Sequence, residues 1–198
     1  MDKKVYLSYI MSIILLCGYK SSGKDTFANH LEEEHGFKHF KIAKPLKDAL
    51  KILFNFTEAH LEGDLKEIVD KDLNTTPREV MKFVGTNMFQ YKIQELLPNI
   101  GRNFWVNKLV KELESSKEKN IVISDLRFIH EYETLHCYGM KHNIQVKVVK
   151  IIRPSLLVYN ADNKDFSETE HLKFKFDCVV ENNSIEEFKQ TINNILLI

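Results

Sequence analysis

The chain has 198 residues, 43% of them hydrophobic, and its 28 basic and 28 acidic side chains cancel. That length fits one α/β domain able to bury a substantial core, and the balanced charge leaves no global field to attract nucleic acid or an anionic membrane, so any anion binding is local. Three cysteines far apart without a CxxC pair, and eight histidines without HExxH spacing, point to free thiols in a reducing compartment rather than to disulfide or zinc frameworks.

Lys3 and Lys4 precede an apolar stretch ending at Cys17, which superficially resembles a secretory signal with a lipoprotein-type LLC. Leu16 is too bulky for the residue before a cleavage site, and the run is too short to span a bilayer. Met11 serves equally well as an initiator. The expectation is an extension over residues 1–10 and a single domain over residues 11–198, soluble and cytoplasmic, with neither membrane nor nucleic-acid partners.

Residues Ile10 to Cys17 read as a strand buried on both faces of a parallel sheet. Directly after it comes Gly18-Tyr19-Lys20-Ser21-Ser22-Gly23-Lys24-Asp25-Thr26, the phosphate-loop pattern GxxxxGK. Its glycines let backbone N–H groups turn toward phosphate oxygens, Lys24 supplies a mobile positive charge, and the following helix points its positive end at the anion. Phe27, Ala28 and Leu31 continue at helical spacing until His35 and Gly36. Strand, loop and helix thus arrive in the order a triphosphate site requires. Asp25 occupies the position that usually carries a metal-binding Ser or Thr, with Thr26 next, which resembles the GKx[ST] variant of the nucleoside monophosphate kinase group. Asp25 either approaches the metal or caps the helix in its first turn, the latter being preferred.

Phe37 to Ala43 is a candidate second strand. His35 and His39 are four apart, but Gly36 interrupts the helix between them, so surface or core roles are expected rather than a metal site. A helix through Phe54 follows, with Pro45 in its first turn. Residues 57–75 are charged and weakly patterned, as in a surface helix and loop. Thr76-Pro77-Arg78-Glu79 forms a capping box with proline at the first helical position. Val80, Met81, Val84, Met88 and Tyr91 follow at helical spacing until Pro98 to Gly101, and Phe104 to Leu113 forms another helix.

Ile121-Val122-Ile123-Ser124-Asp125 reads as an apolar strand ending in a carboxylate, where a phosphate-loop protein places the acidic group facing magnesium or its waters; a simple helix or loop cap is the alternative. Arg127 lies at the same strand end, the edge where open parallel sheets bind ligands, and is suited to grip a phosphate or to form a structural ion pair. Val146 to Ile152 is a further buried strand ending at Arg153-Pro154, and Ser155 to His171 has the polar profile of a flap. Phe176 to Val180 is the last strand, before a helix from Ser184 whose Glu187 completes a second capping box. Strands alternating with helices assemble most naturally as a parallel three-layer α/β fold.

From Met11 to the C-terminus the chain resembles the deoxynucleoside monophosphate kinases of bacteriophages and large viruses. The likeness is carried by GYKSSGKDT, AKPLKDAL (Ala43 to Leu50), TPREVMKFVGT (Thr76 to Thr86), FWVNKL (Phe104 to Leu109), ISDLRFIHE (Ile123 to Glu131), IIRP (Ile151 to Pro154) and FDCVVENN (Phe176 to Asn183) in that order. It implies a five-stranded parallel sheet in a three-layer α/β/α P-loop fold, a monophosphate-binding region around residues 40–110, and a lid near residues 154–170. It further implies ATP as donor with Mg²⁺, a deoxynucleoside monophosphate as acceptor, and a homodimer.

By position, the resemblance gives Ser22, Gly23, Lys24, Asp25 and Thr26 the ATP phosphates, with Lys24 following the transferred group. Lys20 reaches the acceptor phosphate, and Lys44, Arg78, Trp105, Arg127 and Glu131 line the acceptor site. There the basic groups hold the monophosphate, Trp105 packs against base or sugar, and Glu131 accepts a hydrogen bond from the base. Thr26 and Asp125 serve the metal, Asp125 by ordering its waters, while Arg153 and Lys164 close over ATP. Trp105 as a core residue and Lys44 as a solvated first-turn lysine are the alternatives. The chain departs from its relatives at Gln90, where they tend to have arginine, and at Asp165-Phe166-Ser167-Glu168, where they have His-x-[ST]-Glu. The competing functions are phosphomevalonate kinase, whose animal form is similar at the SGKD, PLK, SDxR and ENN segments, and a non-catalytic nucleotide-binding module.

Overall fold

A computed structural model describes residues 12–156 and 170–195. The extension expected over residues 1–10, and all but the two ends of the lid expected over residues 154–170, lie outside the described residues. The chain groups into two compact units, one drawn from residues 1–41 and 110–198 and the other from residues 42–109.

The strands of the first unit are β1 (Ser12–Cys17), β2 (Lys38–Phe40), β3 (Asn120–Ile123), β4 (Gln145–Ile152) and β5 (Cys178–Glu181). They pair in parallel in the order β2-β3-β1-β4-β5. Among the described residues the α-helices are α1 (Lys24–His35), α2 (Lys44–Phe54), α3 (Glu58–Leu61), α4 (Pro77–Lys82), α5 (Phe104–Ser115), α6 (Ile129–His142) and α7 (Ile185–Ile195).

Central β1 is buried from Ile13 to Cys17, as an apolar run covered on both faces should be. On one face, Ile14, Leu16, Val122, Val149, Ile151 and Val180 pack with Phe27, Ala28 and Leu31 of α1 and with Phe188 and Ile192 of α7. On the other, α6 lies against β4 closely enough that a Cβ on Gly139 would stand 2.3 Å from Val146 Cγ2. The result is the expected three-layer α/β/α arrangement. The chain reverses direction across the sheet beside β1, since β1 pairs with β3 on one side and β4 on the other. The carboxyl end of β1 is therefore the crevice where open α/β sheets take ligands.

Two local readings need correction. α6 is absent from the elements anticipated above; its start carries no Ser, Thr, Asp or Asn, and its cap is supplied instead by Glu131 from inside the first turn. In the second unit the capping box forms as expected, Glu79 N donating to Thr76 Oγ1 at 3.2 Å and Thr76 N donating to Glu79 Oε2 at 3.1 Å. The α-period stripe beyond it does not persist. After Lys82 the backbone widens into a π-helical stretch, Phe83–Tyr91; Val84 stays buried, but the i→i+5 bonding exposes Met88 and Tyr91 and buries Gly85 and Gln90 in their place. Among the described residues no helix is long and apolar enough to cross a membrane.

Candidate active site

The loop between β1 and α1 folds into a cradle because two glycines stand where no side chain fits. Gly18 has φ 141°, and a Cβ there would lie 2.3 Å from the Ile151 carbonyl oxygen; Gly23 has φ 107°, and a Cβ there would lie 2.4 Å from Asn182 Nδ2. Ser21 joins them in left-handed backbone at φ 62°, a conformation a serine adopts only when its surroundings impose it. Asn182, just past β5, donates Nδ2–H to Ser22 O at 2.9 Å and pins the loop from behind. Lys24 Nζ donates to Gly18 O at 2.8 Å and Tyr19 O at 2.7 Å, so the ammonium lies over the loop on a flexible stem. Ser22 is buried, and its hydroxyl has no hydrogen-bond partner among the described residues. It sits beside Gly18 rather than on the pocket wall, so its contribution is through the backbone.

Above the loop opens a pocket of about 300 Å³ lined by Ser21, Gly23, Lys24, Asp25, Thr26, Arg153, Asn182 and Ile185. Arg153, the residue after β4, donates Nη1–H to Ser21 O at 3.5 Å. Two cationic residues and the start of α1, whose first N–H groups have no intrahelical partner, thus line one volume, the chemistry of a polyphosphate site. The Thr26 hydroxyl on the pocket wall and the Asp125 carboxylate just past β3 are hard oxygen donors. They fit Mg²⁺, an ion held through one or two protein oxygens plus substrate phosphates.

Asp25 does lie in the first turn of α1, but its carboxylate is committed elsewhere. Its Oδ1 accepts from Ser124 Oγ at 2.8 Å and pairs with Lys41 Nζ at 3.0 Å. Burial pulls the Asp25 pKa upward, and the Ser124 hydrogen bond together with Lys41 more than offsets this, leaving it below the usual carboxylate value. His39 Nε2 stands 2.8 Å from Ser124 Oγ; burial first, then Lys41, holds its pKa below the ordinary histidine value.

Asp125 and Arg127 follow β3, half-buried, outside the lining of the 300 Å³ pocket. Glu131, expected to meet the acceptor base, is buried at 4% exposure. Its Oε2 accepts from Arg127 N and Phe128 N, each at 3.0 Å. It is therefore the cap of α6 and the anchor of the Arg127 backbone. Burial pushes its pKa up to about 8, against the pull of those two N–H donors.

In the second unit Lys44 pairs with Asp48 one helical turn on, and Arg78 Nε pairs with Glu67. Trp105, expected to pack against base or sugar, is a core residue at 7% exposure. Its Nε1–H donates to Gly85 O at 2.8 Å, and its ring packs on Phe89 and Phe104. Gln90 is buried at 3% exposure, and Arg102 Nη2 donates to its Oε1 at 3.3 Å, so a guanidinium stands beside it. Lys20 lies in the loop itself. Lys164 and the segment from Asp165 to Glu168 lie outside the described residues.

Sequence reasoning assigned no role to Asn182, Ser21, Ser124, Lys41 or His39. The ENN at the end of β5 was the one available signal for Asn182. Ser21 stands inside the phosphate-loop motif itself, whereas Ser124, Lys41 and His39 are brought to the site by the parallel pairing of β2, β3 and β1.

A parallel sheet of this order, with a glycine-turned anion cradle after its central strand and an arginine after the neighbouring one, defines a P-loop kinase fold. The model of the deoxynucleotide monophosphate kinase family matches residues 12–76. A protein of Acanthamoeba polyphaga mimivirus named as a deoxynucleotide monophosphate kinase is 32% identical over 191 residues, covering 92% of this chain and 94% of that one. The deoxynucleotide monophosphate kinase of Escherichia phage RB69 is 23% identical over 252 residues, covering 94% of this chain and 100% of its own. The chain belongs to the deoxynucleotide monophosphate kinase family. Among solved structures it is similar to the APS kinase CysC of Mycobacterium tuberculosis in complex with AMPPNP and APS, with TM-score 0.48 and 12% identity over 94% of this chain and 98% of that one.

Proposed function

We propose that the protein phosphorylates deoxynucleoside monophosphates with ATP, releasing the diphosphate and ADP. The observation that carries this reading is the pocket over the β1–α1 loop, lined by Lys24, Arg153 and the first residues of α1. An oxygen of the acceptor monophosphate attacks the γ-phosphorus; the new P–O bond forms as the bond to the β,γ-bridging oxygen breaks, and the electron pair leaves on ADP. The chain makes no covalent intermediate. Its work is alignment and charge compensation.

Lys24 leaves the Gly18 and Tyr19 carbonyls and follows the transferred group, and Arg153 balances charge on the donor side together with Lys164. Thr26 would hold magnesium, with Asp125 serving it through its waters, and the ion would supply positive charge against that of the triphosphate. Ser22, Gly23 and Asp25 shape the cradle. On the acceptor side Lys20, Lys44, Arg78 and Arg127 hold the monophosphate, with residues 42–109 as the acceptor-binding region. Lys44 and Arg78 exchange their carboxylate partners Asp48 and Glu67 for it. Glu131 serves by fixing the Arg127 backbone, and Trp105 by supporting Gly85.

The test is a substrate screen in which ADP release is followed with ATP and each deoxynucleoside monophosphate in turn, with phosphomevalonate as comparison. Turnover with at least one nucleotide is expected. Turnover of phosphomevalonate alone would assign the rival chemistry, and ATP binding without turnover on any acceptor would reduce the protein to a binding module.

A further inference from the structure

The inference rests on the reading that the pocket takes the phosphates of ATP. Asp25 is among the residues that line that pocket, and a bare negative charge so close to it repels a triphosphate. Side chains from two other parts of the sheet answer it. Lys41, one residue beyond β2, brings Nζ to 3.0 Å from Asp25 Oδ1, and Ser124, one residue beyond β3 and only 1% exposed, donates to the same oxygen at 2.8 Å. The proton count fixes the rest. A serine hydroxyl has one proton, which goes to the acceptor-only carboxylate, so His39 Nε2–H is the donor to Ser124 Oγ at 2.8 Å. None of these three residues lines the pocket.

We propose that Lys41, Ser124 and His39 mask and orient Asp25, making Lys41 and Ser124 positioning residues for nucleotide binding that act through Asp25 rather than on the phosphates. With Asp25 balanced by Lys41, the charge presented to ATP is that of Lys24 and Arg153. The arrangement also accounts for an acidic residue being tolerated where phosphate loops ordinarily carry a hydroxyl: the charge is neutralised from behind by the ends of β2 and β3.

The experiment is equilibrium titration of ATP against the full chain and its variants. Lys41→Met is expected to weaken ATP binding about tenfold, since it exposes one full charge at short range. Adding Asp25→Asn to that variant restores affinity to within about threefold of wild type, because the charge that needed masking is gone. Ser124→Ala weakens binding less than Lys41→Met, and Ser124→Thr, which keeps the hydroxyl, returns it. A Lys41 that contacts phosphate itself leaves the double variant as weak as the single one, and that result overturns the proposal, as does unchanged affinity in Lys41→Met. Failure of the wild-type chain to bind ATP at all would instead defeat the proposed function, so the two failures are distinguishable.

Discussion

At the scale of single residues, the site is governed by what cannot be changed. Gly18 and Gly23 both have positive φ, but the obstacles to a side chain differ: a backbone oxygen of β4 faces Gly18, and the end of the Asn182 side chain faces Gly23. Gly18→Ala should therefore destabilise the fold by about 2 kcal/mol or more, and by more than Gly23→Ala, in denaturant unfolding. An equal loss in the two would remove the argument from the Ile151 carbonyl. Glu131 offers a test by pH. Burial raises its pKa from 4.5 to about 8, so between those values the folded state holds a proton that the unfolded chain has lost. Its contribution is full below about 4.5 and is lost as pH rises through about 8. Glu131→Gln keeps an oxygen for both N–H donors without titrating. The difference in melting temperature between variant and wild type should shift in favour of the variant from about pH 5 to about pH 8.5, and a difference constant with pH would contradict the assignment.

At the scale of elements, legibility followed the nature of the signal. The start of α4 at Thr76 and Pro77, the proline in the first turn of α2 and the glycine that ends α1 act within one turn and can be read locally. The π-helical stretch and α6 were not legible. The first changes the helical period without a local marker, and the second takes its cap from a carboxylate that becomes buried only when the chain folds. Trp105 on α5 illustrates the same difference. The family resemblance gave it to base or sugar while its place on an amphipathic helix suited a core residue, and the hydrogen bond to the Gly85 carbonyl places it in the core. Trp105→Phe removes the side-chain donor from that carbonyl and should cost about 1 kcal/mol in thermal or chemical unfolding. An unchanged stability with a raised KM for the monophosphate would return Trp105 to the substrate.

At the scale of the whole molecule, ligand binding and folding are linked. ATP at about 100 times its Kd should stabilise the protein by about 2.7 kcal/mol, seen as a rise in melting temperature. Lys24→Ala should keep the unliganded melting temperature within a few degrees of that of wild type, because the bonds from Lys24 Nζ to Gly18 O and Tyr19 O stay within the loop, while losing most of the ATP-dependent rise and lowering kcat by roughly 10²-fold or more. An undiminished rise in that variant would separate Lys24 from the phosphates. The same scale explains why Asn182 escaped notice. It is 160 residues from Ser22 in sequence and reaches it only because β5 and β1 lie on either side of β4.

By itself the sequence determined the parallel three-layer fold and the phosphate loop, because strand hydrophobicity, helix caps and GxxxxGK act over a few adjacent residues. The tertiary structure decided which charges cooperate. Asp25 met Lys41 and Ser124, Gly23 made way for Asn182, and Glu131 turned inward to cap α6. Each of these depends on side chains from separate elements arriving at one strand end, and that arrival is fixed by strand order and register rather than by any local pattern of residues.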